Sequence, residues 1–240
     1  MCQTALHVEP VDRFAAVHAA AVCAAVANFN DKPTCKAFEG EVIAPAHEAA
    51  QECAKLPIDI SMTFVAEILK PYRKHARYLK SARITHFADR SDKSVPETAD
   101  KNARLLASTG RFAIPESCYI DDTGHFNAVE FNICYNQLAY VMFAKCIEAD
   151  ILHRLRHEKV NVISLPDYKK QQLPSMLIVG IEGVRFFKQL KSDDFTGELT
   201  LNRAVPVGKA WFFFTTITFS DAEGVKAKGS VVLAFSPAND

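Results

Sequence analysis

Neither sign of charge prevails in this chain of 240 residues, where 28 lysines and arginines stand against 28 aspartates and glutamates. Without a basic excess, a broad nucleic-acid-binding surface is not expected. The balance leaves room for a local basic patch that holds a phosphate. No C-x-x-C pair occurs among the seven cysteines, Cys2, Cys23, Cys35, Cys53, Cys118, Cys134 and Cys146. Scattered thiols in odd number suit a reducing compartment better than a disulfide framework, so a cytoplasmic location is expected. No uninterrupted apolar run approaches the length of a membrane span. The alanine-rich residues 14–26 follow Glu9 and Asp12 and are interrupted by His18, so no secretory signal is expected. Also missing are a G-x-S-x-G elbow, a Walker loop and a G-x-G-x-x-G turn; Gly180 and Gly183 alone do not make a dinucleotide site. His153 and His157 stand four apart without a third ligand, so neither a metal nor a cofactor is expected.

Hydrophobic residues make up 49% of the chain and charged residues 23%, enough for a substantial core. Residues 1–60 read as a helical N-terminal extension, with helices over 13–29 and from Pro45 to Leu56. A further helix over 61–70 gathers Phe64, Val65, Ile68 and Leu69 on one side, and Pro71 stops it. Residues 77–87 and 102–114 have strand character, separated by a charged loop over 88–101. The stretch NICYNQLAYVMFAKCIEADIL (132–152) is apolar on nearly every helical face, which marks a buried helix, with Cys134 and Cys146 as core thiols. Four more strand patterns follow over 175–190, 194–205, 209–222 and 225–237, the last two joined by a turn at 221–224. Two strands, a buried helix and four strands describe an α+β domain over 61–240, an antiparallel sheet curled around one helix.

The chemistry gathers in ESCYIDDTGHFN (116–127), where Gly124, His125, Phe126 and Asn127 lead into the buried helix. Unpaired amides at a helix start can polarise a carbonyl and hold an oxyanion. Tyr119 and Asn127 can orient a carbonyl or a water without titrating near neutral pH. The bland alternative is a tyrosine and an asparagine that tie down a turn.

The Gly-His-x-Asn step resembles the active-site loop of hot-dog acyl-CoA thioesterases, many of which carry an acid nine positions after the asparagine. Here that position is Asn136. LKPY (69–72), residues 116–144, QQLPSMLI (171–178), RFFKQL (185–190) and Phe195 resemble the FcoT-like (type III) fatty acyl thioesterases more closely. The resemblance covers about residues 61–240 and implies a hot-dog fold without the usual catalytic acid. It implies catalysis by Tyr72, Tyr119 and Asn127, with Asn136 as a further member. Gly124 and His125 would line the substrate site, and Arg185 or Lys188 would hold a carboxylate or a pantetheine phosphate. Phe131, Met142 and Phe143 are candidates for the wall of an acyl tunnel.

Three functions follow as expectations. The first is hydrolysis of a fatty acyl thioester on coenzyme A or acyl carrier protein. The second, implied by relatives in isonitrile lipopeptide pathways, is addition of glycine to a (2E)-enoyl-acyl carrier protein followed by thioester cleavage. The third is a non-catalytic acyl-binding protein. A homodimer or an assembly of dimers is expected, because a single sheet leaves an edge and half a site exposed.

Overall fold

A computed structural model describes residues 56–88, 104–121, 125–155, 163–207 and 210–236. The chain divides into residues 1–52 and 53–240, and all described residues belong to the second unit. The helices expected over 13–29 and 45–56, the charged loop beyond residue 88, Gly124 and His157 lie outside the described residues, as does the side chain of His153.

The unit begins with a short strand, β1 (Ile58–Ile60), antiparallel to β2 (Leu79–Phe87). The sheet therefore starts at Ile58, inside the stretch read from the sequence as extension. Between these strands lies helix α1 (Met62–Ile68), started by Ser61, whose hydroxyl accepts from the Phe64 amide at 3.2 Å. It buries Val65 and Ile68 and ends at Leu69, ahead of Pro71, which has no N–H to continue it.

β2 pairs with β3 (Leu106–Phe112), and the chain then enters the long helix α2 (Ala128–Glu148). The helix starts four residues earlier than the apolar pattern suggested, because Asn127 caps it. It ends where Asp150 takes a left-handed conformation (φ 53°), one of the few residue types that does so readily. A short turn, α3 (Ile151–Arg154), and a second helix, α4 (Leu165–Ser175), lead to the remaining strands. α4 did not figure in the sequence reading. Ser164 caps it, Pro166 sits in its first turn where an N–H is dispensable, and Pro174 in its last.

β4 (Met176–Phe186), β5 (Phe195–Val207), β6 (Ala210–Asp221) and β7 (Gly224–Phe235) complete a seven-stranded, wholly antiparallel sheet in the order β1-β2-β3-β5-β6-β7-β4. Seven strands stand where six were expected, and β4 stops at Phe186 rather than running to residue 190. The turn between β6 and β7 is the expected one. Asp221 accepts from the Glu223 amide at 2.9 Å, and Gly224 has a φ of 110° that only glycine adopts freely.

The sheet wraps α2 and buries it on almost every side. Gly110 on β3 permits the close approach, since a Cβ there would lie 3.0 Å from Leu138 of the helix and 2.6 Å from Leu79. Tyr135 carries a polar tie from the helix to the sheet. Its hydroxyl meets Thr215 of β6 at 2.7 Å, and Thr215 donates in turn to the Val231 carbonyl. Phe126, Phe131, Phe195 and Phe219 pack edge to face below the start of the helix, and Phe143 packs on Phe213. This is the expected α+β hot-dog arrangement, an antiparallel sheet rolled around a central helix.

Candidate active site

The start of α2 is where the sequence-selected residues meet. Asn127 is the N-cap. Its amide oxygen accepts from the Val129 N–H at 2.8 Å, satisfying one of the amides that a helix start leaves unpaired. Its amide nitrogen donates to the Tyr119 hydroxyl at 2.7 Å. Tyr119 is 46% exposed, so the hydroxyl is held on one side and reachable on the other. Because that oxygen accepts from Asn127, its own proton is left to donate outward, beside the helix start.

Tyr72 and Asn136 stand apart from this pair, and among the described residues neither is hydrogen-bonded to it. Tyr72 follows α1, half-buried, with its ring 6.4 Å from that of Tyr140 on α2. Burial first, then the neighbouring Tyr140 and Cys134, pushes its hydroxyl well above the usual tyrosine range, so it stays a neutral donor. Asn136 lies half-buried on α2, nine residues and about two and a half turns beyond Asn127. His125 is exposed just before the helix.

Arg185 and Lys188 are both exposed at the end of β4. Between them Phe186 lies 6.3 Å from Phe126 and 6.0 Å from Phe131, ring centre to ring centre. Those contacts bring the two cations to the same end of the domain as the start of α2. Phe131, Met142 and Phe143, the candidates for a tunnel wall, are all buried in the core. Cys134 and Cys146 are buried too, and burial raises both thiols, which disfavours the nucleophilic thiolate.

Three residues around the site escaped the sequence reading. Glu130, in the first turn of α2, is 2% exposed and accepts from the Ser117 hydroxyl at 3.1 Å. Tyr78 accepts from the Cys118 amide at 2.9 Å, so residues 117–119 are held by Glu130, Tyr78 and Asn127 in succession. Gln137 holds Tyr78 from below: its oxygen accepts from the Tyr78 and Leu79 amides, and its nitrogen donates to the Ala76 carbonyl. Glu130 had a signal in the sequence, the capping-box spacing Asn-x-x-Glu. In place of a simple cap, the glutamate reaches Ser117.

The model of the FcoT-like thioesterase domain matches residues 67–235. The chain belongs to the FcoT-like thioesterase family. Its FcoT-like relatives include a (2E)-enoyl-[ACP] glycyltransferase of Mycobacterium marinum, 35% identical over 198 residues that cover 81% of this chain and 95% of the relative. Another of that name, from Streptomyces coeruleorubidus, is 34% identical over 71% of this chain and 94% of its own length. Among solved structures, the dehydratase domain of RzxB from Pseudomonas fluorescens is similar at a TM-score of 0.43 and 11% identity, covering 75% of this chain and 50% of that one. A mutant thioesterase from Pseudomonas aeruginosa gives 0.34 and 12%, covering 65% and 82%. The FcoT-like assignment stands on the family match and the close relatives, without these distant structures. No helix among the described residues is long and apolar enough to cross a membrane.

Proposed function

We propose that the chain adds glycine across the double bond of a (2E)-enoyl thioester carried on acyl carrier protein, with thioester hydrolysis as its second activity. The residues by themselves put hydrolysis first and addition second. The relatives' shared name, at 33–35% identity, favours the reverse order. The structural observation that carries the reading is the Asn127–Tyr119 hydrogen bond at the mouth of α2, which leaves a hydroxyl proton and helix-start amides beside one exposed spot.

Both reactions need that spot. The thioester carbonyl oxygen would accept from Tyr119 and from first-turn amides of α2 that Asn127 does not cap. Attack of the glycine nitrogen at the β-carbon forms the C–N bond, and the double-bond electrons move onto that oxygen as an enolate. Donors already in place stabilise the charge as it develops. In hydrolysis, water attacks the carbonyl carbon and the same donors hold the tetrahedral oxyanion until the C–S bond breaks, the water's proton passing to the departing sulfur as thiol. Arg185 or Lys188 would hold the glycine carboxylate or the pantetheine phosphate from the end of β4. Tyr72 and Asn136 stand apart from this spot within one subunit, so they would complete the site only across a dimer, Tyr72 as a neutral donor.

β4 lies at one edge of the sheet and exposes Leu177, Ile181 and Phe186, which supports a dimer formed through that side. Mass spectrometry of crotonyl-acyl carrier protein incubated with and without glycine tests the activity. An adduct carrying one added glycine is expected; its absence, with free crotonate released, would leave plain hydrolysis.

A further inference from the structure

No carboxylate stands nine positions after Asn127, yet one stands three positions after it. Glu130 is almost wholly buried, and while one oxygen accepts from Ser117, the other has no hydrogen-bond partner among the described residues. No cation pairs with it among those residues. The groups near it bring no positive charge: Tyr78 at the foot of β2, Ser117 in the segment that carries Tyr119, and Cys134 one turn along α2. Burial raises both Tyr78 and Cys134, and the nearby Glu130 charge adds to it, directly after burial for Cys134 and behind the Cys118 contacts for Tyr78. A buried carboxylate with one bare oxygen is costly unless something supplies a donor and a counter-charge. An ammonium group supplies both.

We propose that Glu130 is the catalytic base that receives the ammonium of the amine co-substrate. The inference rests on the addition reading above. Free glycine arrives as a zwitterion whose nitrogen has no lone pair to give. The Glu130 carboxylate takes one proton, and the neutral amine attacks the β-carbon to form the C–N bond. The nitrogen then bears two hydrogens and a positive charge, while the enolate forms at the carbonyl. Glu130 returns its proton to the α-carbon, so the carboxylate is regenerated and no proton is gained or lost overall. Plain hydrolysis needs no such step, since water is neutral already.

The test compares wild type with Glu130→Gln, which keeps the size of the side chain and an oxygen for Ser117. Two rates are measured over a series of pH values: glycine adduct from crotonyl-acyl carrier protein, and free thiol from butyryl-acyl carrier protein. Addition at neutral pH is expected to fall by about 10²-fold or more, within the range for a positioned base. It should recover as rising pH makes more glycine neutral, and hydrolysis should fall much less than addition. Unchanged addition, an equal fall in both reactions, or a loss that rising pH does not repair overturns the assignment. Glu130→Asp keeps the base and is expected to slow addition more than hydrolysis, without alkaline recovery. The aspartate variant also decides the matter should the glutamine variant not fold, and an equal fall in both rates counts against the proposal. A wild type that makes no adduct rejects the addition reading itself, a result distinct from wild-type addition that survives in Glu130→Gln.

Discussion

The amide nitrogen of Asn127 donates to the Tyr119 hydroxyl at 2.7 Å while the amide oxygen of the same side chain caps α2 at Val129. One residue thus serves the fold with one atom and the site with another. The two roles can be separated. Asn127→Asp keeps an oxygen for the cap but cannot donate to Tyr119, whose hydroxyl proton would turn inward to the new carboxylate. It should melt close to wild type and lose activity by about 10²-fold or more, the usual cost of an oxyanion donor. Asn127→Ala should lose comparable activity and also about 1 kcal/mol of stability with the cap. Tyr119→Phe should match the aspartate variant in activity with little change in stability, because the ring is half exposed. Wild-type turnover in Tyr119→Phe would remove the tyrosine from the site.

Gln137 is fully buried and satisfies three backbone groups at once, at Ala76, Tyr78 and Leu79. Gln137→Leu fills the same space and leaves all three unpaired. Each buried orphan costs about 1–3 kcal/mol, so a loss of about 3 kcal/mol or more is expected in denaturant unfolding. Tyr78 also holds the Cys118 amide, so the damage should spread to residues 117–119 and lower activity. A loss below about 1 kcal/mol would mean that the loop before β2 rearranges to find other partners.

Alkaline pH should weaken the fold through its tyrosines. Burial is the main reason that Tyr72, Tyr135, Tyr140 and Tyr168 sit above the ordinary value of 10.0. In the unfolded chain they ionise near that value, so above it the unfolded state binds fewer protons than the folded one. Their contribution to stability is therefore complete below pH 10 and is lost as pH rises through the folded values. Tyr78 is raised for the same main reason, so following tyrosinate absorbance and circular dichroism together should show these five of the six tyrosines ionising only as the structure melts. Ionisation that runs ahead of unfolding would mean that the hydroxyls reach solvent.

Much of this fold could be read before any coordinates, because its longest element has the plainest signature. α2 is apolar on nearly all sides, and a helix with such a surface is a buried one. Ser61 before α1 and the turn at 221–224 carry equally local signals. The misses have local causes too. β1 has three residues, too few to show alternation, and its pairing with β2 is a long-range contact. α4 contains two prolines, which read as breaks until the structure shows them in its first and last turns. Tyr119 and Asn127 were legible through a family resemblance, but their hydrogen bond was not. Glu130 went unnoticed because the carboxylate was sought nine residues after Asn127 rather than three. Gln137 gave no signal, since its partners lie about sixty residues away on the backbone.

Asn136 offers a way to shift the balance between the two reactions. It occupies the position where hot-dog thioesterases commonly keep an acid, half-buried on α2 and on the far side of the helix from the Asn127 cap, so it would reach the attacking water across a dimer. Water attack on a thioester profits from a base that takes the water's proton, whereas glycine addition on the reading above already has Glu130 for its ammonium. Asn136→Asp should therefore raise hydrolysis of butyryl-acyl carrier protein by about tenfold or more. That gain lies below the 10²–10⁴ of a base in evolved surroundings, because nothing else in the site is shaped for it. Glycine addition to crotonyl-acyl carrier protein should change much less, so the ratio of the two products, read by mass spectrometry, is the measurement. The gain should vanish at acid pH as the new carboxyl is protonated, which distinguishes a working base from a general loosening of the helix. A ratio equal to wild type at every pH would place residue 136 out of reach of the attacking water.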